Sequence, residues 1–303
     1  MARPLVRPTT EDRRPKTEAG SGGLVSPGTL FVVATPLGNL GDISERARTT
    51  FASVACVAAE DTRRTRILLN HLGVRPRLVS LHAHSSRSRL EQVVSLLESG
   101  TSVALVTDAG TPTVSDPGAE LVREARSAGI PVVAVPGPSA VAAALSISGF
   151  NADRYIFLGF LPRQGKERER LLGEAAGSTM TSVFFESPNR LVDLLDELAA
   201  RCGPAREVAV ARELTKIHEE LRSGPLGDVA THYREHPPRG EITVLLSGAT
   251  PDTSQASVDR TEEVRERARV LLAGGATRRD VAQIVARELQ LSRNEAYRMV
   301  TAL

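Results

Sequence analysis

Short apolar runs alternate with amphipathic segments along most of this chain. Continuous Val/Ile/Leu-rich runs of about 4–8 residues are typical of buried strands, and the segments between them carry apolar residues at helical spacing. Strands that helices cover on both faces form mostly parallel sheets. The pattern predicts strands within "TLFVVATPLG", "VACVAAED", "RLVSLH", "SVALVTD", "PVVAVPG", "RYIFLGFL", "TSVFFES", "EVAVAREL" and "GEITVLLSG".

The alternation predicts an α/β fold made of two α/β domains. Residues 1–27 mix Pro, Thr, Gly, Arg and Glu without apolar periodicity, so we expect a disordered N-terminal tail. A change of character near "GFNADRY" predicts a boundary between an N-terminal α/β domain at 28–150 and a C-terminal α/β domain at 151–248. The Ser/Thr/Asp-rich segment 249–260 is expected to be a linker.

Residues 261–303 predict a helical extension of two or three short helices with a break near "QLSR". This arrangement resembles a helix-turn-helix, which reads nucleic acids. Under that interpretation its arginines face phosphate: Arg278, Arg279, Arg293 and Arg298. The alternative is a dimerisation or packing appendage with a solvated arginine face, and spacing alone does not separate the two.

Composition narrows the class of protein. With 303 residues, 41% hydrophobic and 24% charged, the chain is typical of soluble globular proteins. Cys56 and Cys202 lie far apart and in no C-x-x-C pattern, which argues against a disulfide scaffold or zinc site and favours the reducing cytosol. No apolar run approaches ~18 residues, and the first residues lack the apolar region of a secretory signal. We therefore expect a cytoplasmic protein without a membrane partner.

Charge permits a nucleic-acid partner without requiring one. The net charge is only +2, but nearly all basic residues are arginine, whose planar fork matches phosphate. The alternative explanation is a codon bias of the genome, which would enrich arginine over lysine in every protein. Aromatic residues make up 3% and there is no Trp, which disfavours a base-stacking platform for single strands.

Unusual loops follow successive strands: "TPLGNL", "EDTRRT", "HAHSS", "DAGTPTVSDPG" and "PGPSA". Ligands of open α/β sheets bind outside the carboxyl ends of the strands, so these loops predict one shared cleft. A P-loop needs a lysine after its glycines, and none occurs here. Gly38 and Gly41 are wrongly spaced for a dinucleotide fingerprint. His82 and His84 lack a convincing third ligand, so we expect polar loop lining and no metal.

These exclusions leave a ligand that has a base, a ribose and a polar tail but no phosphates. Asp108 and the backbone of "DAGT" could receive hydroxyls or an ammonium group, and "PGPSA" offers exposed amides at a helix start. S-adenosylmethionine fits this description, although spacing alone leaves other nucleosides open.

Eight blocks carry a family resemblance: "LFVVATPLGNLGDISERA", "AAEDTRRTRILLNHLG", "LVTDAGTPTVSDPG", "VPGPSAVAAALSISG", "RYIFLGFLP", "FFESPNRL", "ARELTKIHEE" and "GEITVLL". In order and spacing the chain resembles the ribosomal small-subunit RNA 2′-O-methyltransferases of the tetrapyrrole methylase superfamily, the class III methyltransferases. The likeness runs from about Thr29 to Gly248, and the C-terminal helices resemble the family's short extra domain. Eight collinear blocks are far more specific than any single motif.

The resemblance implies two α/β domains of the tetrapyrrole methylase type, with the cofactor in a cleft between them, and a homodimer. It implies S-adenosylmethionine-dependent methylation of a cytidine 2′-hydroxyl in 16S rRNA of the 30S subunit, at family position 1402 in the decoding centre, with no DNA partner. The cofactor contacts carried over from the family are Pro36, Gly38, Asp108, Ala109, Gly110, Thr113, Ser139, Ala140, Glu186 and Leu214. The first loop is not Gly-Pro-Gly-Asp and "DAGT" is not Gly-Gly-Asp, so the hydrogen bonds are expected to differ in detail.

The reaction needs a group that removes the proton of a weakly acidic ribose hydroxyl, or a cation that steadies the alkoxide. Glu60 and Asp61 are the leading candidates, because they follow a buried strand and precede Arg63, Arg64 and Arg66, which could clamp RNA phosphates. The alternative is that Asp61 caps the following helix and the arginines are solvated.

A second candidate group is Arg212, Glu213, Lys216 and His218. Lys216 stands out in a chain with almost no lysine, and a lysine whose pKa is lowered by burial can act as a base. A lone surface lysine is the alternative. His82 and His84 come third, and the sequence does not choose among the groups.

Two rival functions stay open. The first is methylation of a tetrapyrrole (precorrin-type) by the same fold, and the second is that of a non-catalytic RNA-binding ribosome assembly factor.

Overall fold

The computed structural model describes residues 28–82, 85–250, 253–274, 276–289 and 291–301, without the side chains of 253–262 and 293–295. Two compact units account for this chain. The first contains residues 28–34 and 44–136, and the second contains 35–43 and the described residues from 137 onward. Residues 35–43, after the first strand, and residues 137–140 therefore group with the second unit. The domain boundary at 150 stays a prediction.

The first unit is a five-stranded, fully parallel sheet in the order β3-β2-β4-β1-β5. Helices α3 and α4 pack on each other, and right-handed connections place α1 and α2 on the opposite face. The elements are β1 (Leu30–Val33), α1 (Glu45–Ser53), β2 (Cys56–Ala59), α2 (Thr62–His71), β3 (Arg77–Ser80), α3 (Arg87–Glu98), β4 (Val103–Val106), α4 (Ala119–Ser127) and β5 (Val132–Val135).

Buried strands hold this unit together, as their continuous apolar runs predict. Every residue of β2 and β4 is buried, because helices cover both faces of the central strands. Ser44 caps α1 by accepting a hydrogen bond from the Ala47 amide at 3.1 Å. The loops that follow β2 and β4 therefore leave a rigid sheet at neighbouring positions.

The second unit contains a mixed sheet in the order β6-β7-β10-β8-β9. Only β6 and β7 are parallel, while β10 pairs antiparallel with β7 and β8, and β8 with β9. The elements are α5 (Ala140–Ser148), β6 (Tyr155–Phe160), α6 (Lys166–Gly177), β7 (Thr181–Glu186), α7 (Leu191–Cys202), β8 (Glu207–Arg212), β9 (Glu220–Pro225), α8 (Leu226–Glu235) and β10 (Ile242–Leu246).

The prediction of mostly parallel strands is wrong for this second sheet. Residues 213–219 join β8 directly to β9 without a helix, and such a short connection produces an antiparallel hairpin. Strand β9, "ELRSGP", was not predicted, because it has no apolar run and lies at the sheet edge.

Three C-terminal helices form a small core of their own. Val264, Val281, Val285 and Val300 are fully buried in it, and Arg267 joins the first two helices through Glu288 at 2.8 and 3.0 Å. The helices are α9 (Thr253–Ala273), α10 (Arg278–Glu288) and α11 (Arg293–Thr301).

The first of these helices corrects the linker boundary. Helix α9 begins inside the segment 249–260 that was expected to be a linker. A Ser/Thr-rich segment has weak helix propensity, but extending a nucleated helix costs little. The predicted tail, 1–27, lies outside the described residues.

The predicted fold class, two α/β sheets with a helical C-terminal extension, is confirmed. Within the part of the chain that the structure describes, no helix combines the length and the apolar character needed to cross a membrane.

Candidate functional site

Three carboxylates meet at the carboxyl edge of the first sheet. Glu60 follows β2 directly and Asp108 follows β4, the neighbouring parallel strand. The Thr107 hydroxyl donates to Glu60 Oε2 at 2.6 Å, and the Asp108 amide approaches the same oxygen at 3.4 Å. The Asp61 amide donates to Asp108 Oδ1 at 3.0 Å. The sheet thus brings together the leading catalytic candidates and the predicted cofactor loop.

Within this carboxylate cluster (Glu60, Asp61 and Asp108), Asp108 has a raised pKa. Burial is the main cause, and the negative charge of Glu60 adds to it. The Asp61 amide and the guanidinium of Arg64, whose Nη1 lies 3.6 Å from Asp108 Oδ2, lower the pKa in part. Asp108 consequently holds a proton more readily than an ordinary aspartate.

Asp61 is the N-cap of α2. Its Oδ1 accepts a hydrogen bond from the Arg63 amide at 2.8 Å, and the Arg63 guanidinium binds the same carboxylate at 2.9 and 3.2 Å. The side-chain hydrogen bond from Arg63 is the main reason why the pKa of Asp61 falls to about 2. A carboxylate with so low a pKa is a weak proton acceptor, which counts against Asp61 as the base.

The loop "DAGTPTVSDPG" has an unusual backbone. Thr113 and Ser115 have φ of 72° and 64°, and Gly110 has 82°. Positive φ is strained for a β-branched residue such as Thr113, and such strain concentrates at ligand-binding segments. The predicted contacts Asp108, Ala109, Gly110 and Thr113 therefore lie on one strained loop at the carboxyl edge of β4.

In the second unit, the loop with Pro36 and Gly38 packs on the segment after β8. A Cβ at Gly38 would lie 2.3 Å from Lys216 Cγ, so only glycine leaves room for the lysine stem. The Asn39 amide donates to Thr215 Oγ1 at 3.3 Å. Two predicted site residues far apart in sequence, Gly38 and Lys216, thus touch.

Lys216 is held between two carboxylates. Its Nζ lies 2.7 Å from Glu213 Oε1 and 3.2 Å from Glu241 Oε2. Burial lowers the lysine pKa, but the hydrogen bonds and negative charges of both glutamates outweigh it, and the net pKa is raised. Glu213 and Thr215 adopt φ of 52° and 66° around it. Lys216 is therefore a positioned cation, and a neutral lysine base is disfavoured.

The other carried-over contacts also lie in the second unit. Ser139 caps α5, whose first residue is Ala140, and Leu214 is buried. Glu186 ends β7 and is 2% exposed; its Oε1 accepts from the Ser187 amide at 2.7 Å. Its Oε2 lies 3.3 Å from Arg190 Nη2, yet forms no hydrogen bond within the described chain. Sequence reasoning missed Arg190, although its i+4 spacing from Glu186 in "ESPNR" was the available signal.

The remaining candidates lie on exposed surfaces. His82 and His218 are exposed, while His84 and the side chain of Arg293 lie outside the described residues. No group of three or more His, Cys, Asp or Glu among the described residues could hold a metal ion. Of the arginines predicted to bind RNA, six are exposed: Arg63, Arg64 and Arg66 on α2, Arg278 and Arg279 on α10, and Arg298 on α11.

Comparisons with known proteins converge on one family. The family model for Tetrapyrrole (Corrin/Porphyrin) Methylases matches residues 29–230. A Synechocystis protein is 40% identical over 90% of this chain and 97% of its own length. Proteins of Xylella fastidiosa and Thermotoga maritima are 47% and 46% identical, over 74% and 73% of this chain and 83% and 99% of theirs. All three are named ribosomal RNA small subunit methyltransferase I.

Solved structures agree on the fold. The methyltransferase CobJ superposes with a TM-score of 0.58 at 18% identity, covering 73% of this chain and 95% of that one. The cobalt precorrin-4 methyltransferase CbiF gives 0.57 at 18% identity, covering 72% and 94%. At this sequence identity the structural similarity supports a shared architecture and gives no information about the substrate.

Proposed function

Because the chain belongs to the tetrapyrrole methylase family and, within it, to the ribosomal RNA small subunit methyltransferase I family, we propose that it methylates the ribose 2′-oxygen of a cytidine in 16S rRNA. The carrying observation is 40% identity to a relative of that name along almost the whole length of both chains. The protein is an S-adenosylmethionine-dependent methyltransferase. We further propose that it acts on the 30S subunit in the cytoplasm, at the family position 1402 in the decoding centre, and as a homodimer.

The residues present fit this cofactor. S-adenosylmethionine carries a sulfonium and an ammonium group but no phosphate, and the carboxylate cluster offers anions to cations. Among the described residues none donates a hydrogen bond to the buried Glu186 Oε2, although Arg190 Nη2 lies 3.3 Å away, and such an atom can receive a ligand hydroxyl or ammonium. When bound, the cofactor supplies an electrophilic methyl group. We assign its binding to the loop of Asp108 and Gly110, the loop of Gly38, and Glu186.

We assign proton removal to Glu60, whose Oε2 lies beside Thr107 and the Asp108 amide at the carboxyl edge of the first sheet. Asp61, with a pKa of about 2, is a weak proton acceptor, and Lys216 is held as a cation. Lys216 instead suits stabilisation of negative charge.

Tritiated S-adenosylmethionine supplied with 30S subunits, free 16S rRNA or a tetrapyrrole precursor separates the functions. The proposal expects label in RNA as a hydrolysis-resistant 2′-O-methylcytidine. Label only in the tetrapyrrole would identify the rival enzyme, and RNA binding without transfer would identify an assembly factor.

A matched pair of variants tests the proton acceptor. Glu60→Gln should lower kcat at least 100-fold with cofactor affinity retained, since general base catalysis contributes about 10²–10⁴-fold. Asp61→Asn, which keeps an N-cap, should lower kcat less than tenfold. A larger loss in Asp61→Asn than in Glu60→Gln would overturn the assignment.

A further inference from the structure

A cavity of about 340 Å³ lies between α2 and β3 in the first unit, outside the predicted cofactor loops. Leu69, Val74, Pro76 and Leu78 provide apolar lining, and the polar lining consists of Arg66, Asn70 and Arg75. None of the described residues lining it is acidic. Its volume is within the range of pockets that hold small ligands.

The α2/β3 cavity contains two exposed arginines, Arg66 and Arg75. Arg66 and Arg75 are exposed and form no ion pair or hydrogen bond through their side chains with described residues, and neither does the amide of Asn70. Arg63, by contrast, is bound to Asp61 at 2.9 Å, and Arg64 lies 3.6 Å from Asp108. A phosphate group would meet less competition at Arg66 and Arg75 than at the two arginines nearest the carboxylates.

The position of the cavity connects it to the candidate site. Helix α2 begins immediately after Asp61, and Arg63, Arg66 and Asn70 follow at i, i+3 and i+7, along one face of the helix. Seven residues of helix span ~10 Å, so this face leads from the carboxylate cluster to the cavity. Ile67, which follows Arg66 on α2, has a large apolar side chain that is 65% exposed.

We propose that the α2/β3 cavity binds a nucleotide of single-stranded RNA that flanks the methylated residue. The apolar lining receives the base, Arg66 and Arg75 bind the phosphate, and the Asn70 amide can hydrogen-bond a base edge. Single-stranded RNA is recognised in this way, through splayed bases and arginine contacts. The inference rests on the proposed function, because it takes RNA as the substrate.

The test uses the double variant Arg66→Ala/Arg75→Ala of the full chain and a fluorescein-labelled 16S rRNA fragment that contains the decoding-centre cytidine. The matched control is Arg89→Ala/Arg126→Ala, which removes two exposed arginines from α3 and α4, helices that do not line the cavity. Anisotropy titrations across salt concentrations report affinity, and cofactor binding with thermal unfolding reports folding.

The cavity variant should bind RNA about tenfold more weakly, and the slope of log K against log salt should fall by roughly 1–2. In the methylation assay KM for RNA should rise while kcat changes less than twofold, because a flanking contact contributes equally to ground and transition states. The control should remain within about twofold of the wild type in both assays.

Equal losses in both double variants, or none in the cavity variant, would overturn the site. A wild-type protein that binds the fragment but methylates no RNA would instead contradict the proposed function, so the two failures are distinguishable.

Discussion

Gly38→Ala offers a direct test of how the second unit holds Lys216. The new Cβ would lie 2.3, 2.9 and 2.7 Å from Lys216 Cγ, Cδ and Cε, whereas carbon atoms in contact prefer about 3.5–4.0 Å. Gly38 has no positive φ, so the substitution acts through this clash and not through backbone strain. The lysine stem must move by about 1 Å or more, away from the two carboxylates that hold its ammonium group.

The cost follows from two effects. Overpacking costs about 1–3 kcal/mol, and displacing Lys216 also leaves Glu213, whose side chain is 18% exposed, without its 2.7 Å partner. We expect Gly38→Ala to lower the free energy of unfolding of the second unit by about 2 kcal/mol. In a Lys216→Ala background the clash is absent, and the added cost should fall below about 0.5 kcal/mol.

Urea unfolding of the wild type, both single variants and the double variant measures this coupling, and calorimetric titration with S-adenosylmethionine follows the same four proteins. The cycle should give an interaction energy of about −2 kcal/mol, with destabilisation counted as positive. Additive costs would refute the reasoning, because Gly38 would then be sensitive for a reason unrelated to Lys216.

The same pair makes the cost depend on pH. Burial raises the pKa of Glu213, but the hydrogen bonds from Lys216 and the Glu241 amide outweigh it and lower the pKa overall. Stability from a depressed carboxyl pKa is present above the unfolded value of about 4.3 and is lost as pH falls through the folded value. The cost of Gly38→Ala should therefore shrink below about pH 4.

Four further substitutions probe the scaffold. Gly248→Ala would place a Cβ 2.0 Å from the carbonyl oxygen of Thr179 and should lower the unfolding temperature by several degrees. Gly173→Ala, whose Cβ would have nothing within 4 Å, should instead raise the free energy of unfolding by about 0.5–1 kcal/mol. Equal effects of the two substitutions would contradict the packing argument. Arg168→Ala removes a side chain that is 5% exposed from Glu197, whose side chain is 34% exposed, and should cost roughly 2 kcal/mol in urea unfolding through lost hydrogen bonds and packing, so a cost below about 1 kcal/mol would show that the ion pair contributes little. Asp61 has a folded pKa of about 2, lowered from 3.8. The stability of the wild type should therefore decline more steeply than that of Asp61→Asn as pH falls from about 4 to 2. Parallel declines would show that Asp61 is not ion-paired in solution.

Much of the fold follows from local pattern. The nine predicted strands all exist, because short, mostly apolar runs bounded by turn residues are typical of strands and too short for most helices. Strand β9 escaped prediction because an edge strand need not be apolar, and without it the hairpin that makes the second sheet mostly antiparallel was not visible.

The sequence likewise predicted only part of the candidate site. Sequence placed Glu60, Asp61 and Asp108 in loops after strands, since parallel strands present their carboxyl ends at one edge. It could not distinguish their chemistry, because Glu60 meets Thr107 across 47 positions of chain and the pKa of Asp108 depends on burial by such neighbours. The cofactor contacts carried over from the family, and the arginines expected to bind RNA, stay predictions.

The sequence by itself determined the strand and helix pattern, the loops that follow the strands, and the family, because these depend on periodicity and on residues adjacent in the chain. Only the tertiary structure decided that Asp61 is a cap bound to Arg63, that Lys216 is a cation fitted against Gly38, and that Arg66 and Arg75 share a cavity without an acidic lining residue. Proton affinity, ion pairing and cavity shape depend on groups that folding brings within a few ångströms, so they are properties of the neighbourhood and not of the residue.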